Sequence, residues 1–366
     1  MTENYNLHDC ETKNNIKSKV NPFSVCMVFV STIIGVGFAS GKEILEFFAR
    51  FGAWGYVGIF VCAILFFATC YAFLHAGSSG CGESISHLNA LLFPKKARIF
   101  ADIFLCFSHL SVVSAMIAGV KSLFVMVGFS SWSVYASLIA CVIIFFISLF
   151  SPYKLIKLCG YMTPLIVIIM IITCILTIFK GDYISANAVT SVSNMGNAVM
   201  AILASVLYAG MNLQTASPLV TPAGKFLSKK QRLRVSFVSA FILTLCLSLA
   251  VISLQGLPNN ILSQDMPMLE LSARFGRGYY IIYIIALTLG IFSTLLSSVF
   301  ALSDICIPIF KTKTLSTFIT IAFGFVMSLL GFSSIVKIVY PLVGVFGVIY
   351  ILALLKYILK NKKQRK

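Results

Sequence analysis

Residues Ser31–Phe48 read STIIGVGFASGKEILEFF, and the reading of this stretch decides the fold. It lies inside an apolar segment from Ser24 to Ala49, which as one continuous helix is about 39 Å long at 1.5 Å per residue. A hydrocarbon core of roughly 30 Å requires less. Gly35, Gly37 and Gly41 fall within it, and each glycine costs a helix roughly 0.5–1 kcal/mol relative to alanine. Gly37 and Gly41 form a GxxxG pair, which serves close helix packing. Three details go beyond packing: Gly35 lies off that face, Ser40 adds a hydroxyl, and Lys42 and Glu43 follow at once. A break near Gly35–Gly41 leaves two half-helices and frees backbone N–H and C=O groups at mid-bilayer, where nothing else offers polar ligands. Half-helix N-termini then suit an anionic group and freed carbonyls a cation. The outer half carries Lys42, Glu43, Glu46 and Arg50. These read most simply as charges facing solvated protein, with Glu43 and Glu46 as ligand-binding groups the alternative.

The surroundings of this stretch place it in a membrane. Of 366 residues, 59% are hydrophobic and 11% charged, against roughly a quarter charged in soluble domains. Apolar runs of about 20 residues recur down the chain, the length of a transmembrane helix. Ten spans are predicted, at 24–49, 54–76, 99–127, 133–150, 158–179, 195–220, 234–256, 279–303, 315–332 and 335–358. They are expected to be helices, because backbone groups in lipid must be satisfied within the segment. The expected organisation is a polar, disordered tail over 1–21, a membrane domain over 22–359 and a basic tail over 360–366. The N-terminal tail has no apolar core and is not a signal peptide. The eleven cysteines include no CxxC pair and read as small buried hydrophobes.

Charge sets the orientation. Of 28 lysines and arginines, 21 fall on the side of the N-terminus under this span assignment and seven on the other. The positive-inside rule therefore puts both termini in the cytoplasm. The net charge of +17 belongs to one membrane face and its anionic lipid, including the C-terminal KNKKQRK, rather than to a nucleic-acid site.

A second irregular span is predicted halfway along. SVLYAGMNLQTASPLVTP, Ser205–Pro222, crowds Tyr208, Gly210, Asn212, Gln214, Thr215, Ser217 and Pro218 into span six. Pro218 removes a backbone donor, and Gly210 beside Asn212 makes an unwound turn cheap. With five spans in each half, 24–179 and 195–358, the halves have opposite topology, an inverted repeat with broken spans one and six.

Ten such spans resemble the leucine-transporter fold of the amino acid–polyamine–organocation transporters. More closely, GVGFASGKEILEFFARFG, Gly35–Gly52, is similar to the opening of the YkvI family of uncharacterised bacterial membrane proteins, and the resemblance runs from about Pro22 to Leu359. It implies a sodium site made by the carbonyls of Ser31 and Ile34 with the hydroxyls of Thr294, Ser297 and Ser298. It also implies solute contacts from Gly35, Gly37, Phe38, Ala39, Ser40 and Gly41 in span one, and from Tyr208, Gly210 and Asn212 in span six. Ser111 of span three, with Ser108 and Ser114, reads either as pocket lining or as helix packing. Phe38 stands where many sodium-coupled carriers have an asparagine, so one coupling cation is implied and a second is not.

Other groups are read from their positions. His109 is either a proton relay or a hydrogen-bonded packing residue, the latter being the plainer reading. Asp102 and Asp304 lie near cytoplasmic ends, where Lys96, Lys154 or Lys157 could pair with them. Residues 258–276, PNNILSQDMPMLELSARFG, resemble an outer lid. Cys81, Glu83 and His87 make only a weak metal-ligand set. No P-loop, HExxH motif or Ser–His–Asp set is present, so neither ATP hydrolysis nor other enzyme chemistry is indicated, and no cofactor beyond a sodium ion. The function expected is sodium-driven symport of a small solute, an amino acid or related zwitterion, across a bacterial cell membrane. Proton coupling, or a non-transporting sensor like some germination-receptor subunits, is the alternative. The sequence does not specify an oligomeric state.

Overall fold

The computed structural model describes residues 21–78, 85–149, 152–180 and 195–364. The N-terminal tail over 1–20 and the loop bearing Cys81 and Glu83 lie outside the described residues, as do the side chains of His87, Lys154, Lys157 and the basic tail. Every regular element among the described residues is helical. Span one consists of three short helices, Pro22–Ile33, Val36–Ala39 and Lys42–Phe47. Spans two to five are Trp54–Ser78, Lys95–Met126, Ser133–Ser148 and Pro152–Lys180. Spans six to nine are Met195–Ala223, Lys229–Gln255, Arg277–Phe310 and Lys313–Ser328. Span ten begins with Phe332–Ser334, passes through a π-helical turn at Ile335–Val339 and continues as Tyr340–Gln364. Among the described residues, eight helices are long and apolar enough to cross a membrane, with Pro22–Ile33 and Lys313–Ser328 as shorter apolar helices.

Local chemistry starts these helices. The Asn21 side chain accepts from Phe23 N at 2.9 Å, with Pro22 at the first helical position. Ser228 and Gln231 form a reciprocal capping box at span seven, and Thr312 caps span nine through Leu315 N. Several helices outrun their apolar cores; Lys95–Met126 and Arg277–Phe310 have 32 and 34 residues. Hydropathy marks the lipid boundary, whereas the helical backbone continues past it.

Packing partners repeat when five is added to the span number. Span one packs on five, and six on ten; one on seven, and six on two; three on four, and eight on nine; three on nine, and eight on four. This is the pairing an inverted five-plus-five repeat requires, and the fold class expected from the sequence is the one observed. Large apolar side chains such as Phe146, Phe179 and Phe318 are exposed on the outside of the bundle, where lipid is the solvent.

Span six takes a different form from the broken helix expected. It is helical without interruption from Met195 to Ala223, with Pro218 and Pro222 inside it. The carbonyl that Pro218 cannot bond, that of Gln214, accepts the Ser217 hydroxyl at 2.8 Å, so the helix survives its proline. Gly210 serves a close crossing rather than an unwound turn. A Cβ there would lie 2.5 Å from Gly344 O of span ten and 2.8 Å from Val348 N. Spans two and six meet equally closely, since a Cβ on Gly77 would overlap the Thr221 carbonyl.

Because that obstacle is backbone, Gly77→Ala is expected to cost about 1–3 kcal/mol and to lower the thermal unfolding temperature in detergent. Gly278→Ala, with open space around it, is expected to stay within about 0.5 kcal/mol. Equal effects would remove the crossing argument.

Candidate functional site

The helical ladder stops at Ile34, whose backbone turns to φ −82°, ψ 76°. Gly35 N reaches back only to Ile33 O, at 3.0 Å. After one turn at Val36–Ala39, Gly41 adopts φ +83° in the left-handed region, a conformation that glycine adopts without penalty. A side chain there would also collide with Met268, whose Cγ is 2.6 Å from the Cβ position. Carbonyls released by the break are met from elsewhere. Thr294 Oγ1 donates to Ser31 O at 3.1 Å, Tyr283 Oη to Ala39 O at 2.6 Å, and Met268 N to Ser40 O at 2.9 Å. Ser40 Oγ donates to Gly37 O at 3.1 Å. The Ile34 carbonyl accepts no backbone hydrogen bond among the described residues.

The five residues of the implied cation site fall in one region. Thr294 bridges span eight to the Ser31 carbonyl and lies against Gly35, 3.1 Å from its Cβ position. Ser297 and Ser298 are buried on the same stretch of span eight. The Ser297 hydroxyl donates to its own helix at Thr294 O, 2.9 Å, and Ser31 Oγ to Val28 O, 2.8 Å. What span eight presents to the break is therefore the hydroxyl of Thr294, one helical turn from Ser298.

The implied solute contacts divide. Gly35, Gly37, Phe38, Ala39, Ser40 and Gly41 form the break itself, all buried. Tyr208 packs on the end of the outer half-helix beyond it: its ring stands edge-on to Phe48, centroids 5.0 Å apart, and tilted against Phe47 at 5.4 Å. Asn212 is buried and donates back to Tyr208 O at 3.1 Å. Gly210 faces span ten instead. Ser111 and Ser114 bond to their own helix at Phe107 O and Leu110 O, both 2.7 Å. Ser108 also accepts Gln214 Nε2 at 2.6 Å, which ties span three to span six.

The charges of the outer half-helix are not the solvated set expected. Glu46 is the conventional one, paired with Arg50 at 3.2 Å and with Lys337 of span ten at 3.4 Å. Lys42 is 1% exposed and donates to Gln264 O at 2.9 Å. Glu43 is 4% exposed, and its Oε2 has no hydrogen-bond partner among the described residues. Sequence reasoning missed this burial, although a signal existed. Arg50 stands four residues after Glu46, whereas Glu43 has no basic residue three or four positions away. His109 is buried with both ring nitrogens lacking partners among the described residues, so its packing is not the hydrogen-bonded kind expected. Asp102 is held by Arg98 at 3.8 Å and Asn89 Nδ2 at 2.6 Å.

Residues 257–276 cover the break on the face opposite the termini. Besides the Met268 and Gln264 contacts, Asp265 accepts hydroxyls from Ser122 of span three, at 2.8 Å, and from Ser333 at the start of span ten. A cleft of about 410 Å³ lined by Lys121, Ser122, Gln264, Asp265 and Phe332 opens beside this junction.

No model of a known protein family matches the chain. It is 26% identical over 342 residues to the uncharacterised membrane protein YkvI of Bacillus subtilis (strain 168), covering 93% of this chain and 96% of that one. Among solved structures it is similar to MhsT in complex with L-phenylalanine, with a TM-score of 0.58 and 14% identity over 87% of this chain and 81% of that one. It is also similar to Mhp1, a nucleobase-cation-symport-1 family transporter with bromovinylhydantoin bound (TM-score 0.55, 14% identity, 89% and 75% covered). A manganese transporter of Eremococcus coleocola gives 0.60 at 13% identity, over 89% and 75%. The shared architecture is the leucine-transporter fold, and along its length the chain is similar to YkvI.

If Tyr283 holds the break, Tyr283→Phe leaves the Ala39 carbonyl buried without that donor, at a cost of about 1–3 kcal/mol. The expected readout is a lower unfolding temperature and faster labelling of a cysteine placed at position 39. Unchanged labelling would mean that the bond does not hold the segment shut.

Proposed function

We propose that the chain is a secondary transporter, a symporter that moves a small organic solute such as an amino acid or related zwitterion by alternating access, with sodium as the driving ion. The setting is the bacterial cell membrane with both termini in the cytoplasm, in keeping with the one-sided basic residues. The observation that carries the reading is the meeting of Thr294 Oγ1 with Ser31 O at 3.1 Å, beside the Ile34 carbonyl. Carbonyls and hydroxyls are hard neutral oxygens, the ligand type that suits an alkali cation. A cation between spans one and eight bridges two elements far apart in sequence, and its gain or loss changes their relation. Solute and cation sites on one broken helix are thereby coupled, since both report on the same backbone.

Sodium is expected to raise the unfolding temperature of the purified protein relative to choline, and Thr294→Ala with Ser298→Ala to remove that rise. An ion that binds only the folded state stabilises by roughly 2.7 kcal/mol at a hundredfold excess over its Kd. In liposomes, uptake should require an inward sodium gradient. Uptake that follows a proton gradient instead replaces sodium with protons, and solute binding without any flux makes the chain a sensor.

A further inference from the structure

Glu43 stands outside the network that repairs the break. It is buried, its Oε2 is unpartnered, and no lysine, arginine or histidine forms an ion pair with it among the described residues. The nearby cations are committed elsewhere: Lys42 to the Gln264 carbonyl, and Arg50 and Lys337 to Glu46. The carboxylate folds back across the break onto Gly37, and its Cδ and Oε1 fill the space a Cβ on that glycine would take. Among the described residues, Tyr208 of span six and Tyr340 of span ten are buried and within reach of its charge. Tyr208 Oη is itself without a hydrogen-bond partner among the described residues, and the rings of Phe47 and Phe48 pack on Tyr208.

A buried carboxylate costs free energy unless it takes up a proton or a counter-charge is paired with it, and no side chain among the described residues supplies that charge. The surroundings discriminate among cations. An alkali ion calls for several hard neutral oxygens, which the Ser31–Thr294 region offers through the Ser31 carbonyl and the Thr294 hydroxyl. A carboxylate beside a phenol and aromatic rings suits an organic ammonium, which combines charge-assisted N–H···O bonds with attraction to aromatic faces.

We propose that Glu43 binds the protonated amino group of the transported solute, so that the solute class is amine-bearing. The assignment rests on the transporter reading above and names the polar anchor of its solute site. The cation of the Ser31–Thr294 region is a separate ligand.

The test uses purified full-length protein and thermal stability with matched probes at fixed sodium and pH: alanine and lactate, phenylalanine and 3-phenyllactate, and 1,4-diaminobutane and 1,4-butanediol. The expected result is that an amine member of at least one pair stabilises the protein with an apparent Kd at least tenfold below that of its hydroxyl counterpart. Glu43→Gln should reduce that preference to less than twofold while sodium stabilisation persists, which shows the variant folded. Glu43→Asp should keep the preference with weaker binding. Hydroxyl probes that bind as well as amines, or an amine preference that survives in Glu43→Gln, would overturn the assignment and leave the transporter reading standing. Stabilisation by sodium but by no amine probe would do the same. Stabilisation by neither would remove both.

Discussion

Inside a bilayer every backbone N–H and C=O must find a partner within the protein, and an unpaired group costs several kcal/mol. The break over residues 34–41 is where this chain departs from the simplest solution, a continuous helix, and much of the remaining structure follows from the repair. Span eight supplies Thr294 and Tyr283, and the segment between spans seven and eight supplies Met268 N. Each donor comes from an element distant in sequence, so the broken span cannot be stable until the second half of the chain has packed around it. Span six meets the same constraint locally, with the Ser217 hydroxyl standing in for the hydrogen bond its proline lacks.

This contrast explains what was legible in the sequence. The break in span one could be read because three glycines, a serine and two charges crowd an apolar segment, a pattern with no inexpensive continuous-helix solution. Ten helices, their inverted pairing and the positions of Thr294 and Ser31 followed from hydropathy, span parity and the family resemblance. Span six misled because Gly210 looks locally like another point of weakness. Its role is set by Gly344 and Val348, and no local reading can distinguish a glycine that bends from one that lets a neighbour approach. The burial of Glu43 was likewise tertiary in origin, since Gly37 provides the space and the lid closes above. Only the lack of a basic residue one turn away was visible beforehand.

The repair also separates two kinds of chemistry along a short length of chain. Neutral oxygens collect toward span eight and the termini-proximal side of the break, around Ser31, Ile34 and Thr294. The carboxylate of Glu43 and the ring of Tyr208 lie on the side of the outer half-helix. A single interruption thus presents two differently polar surfaces without charged residues at the centre of a regular transmembrane helix, where they would be most costly.

The closing contacts share a property with consequences for sequence change. Three of them end on main-chain oxygens, those of Ala39, Ser40 and Gln264. Any residue at those positions offers the same acceptor, provided that the backbone keeps its course and Gly41 keeps its left-handed turn. The donors are the constrained partners, Tyr283 and Lys42 through their side chains and Met268 through its amide. The side chain at position 39 is therefore not fixed by the closure, whereas Ser40 also meets Gly37 O through its hydroxyl. Descendants of one scaffold can change such positions without rebuilding the contacts that hold the break.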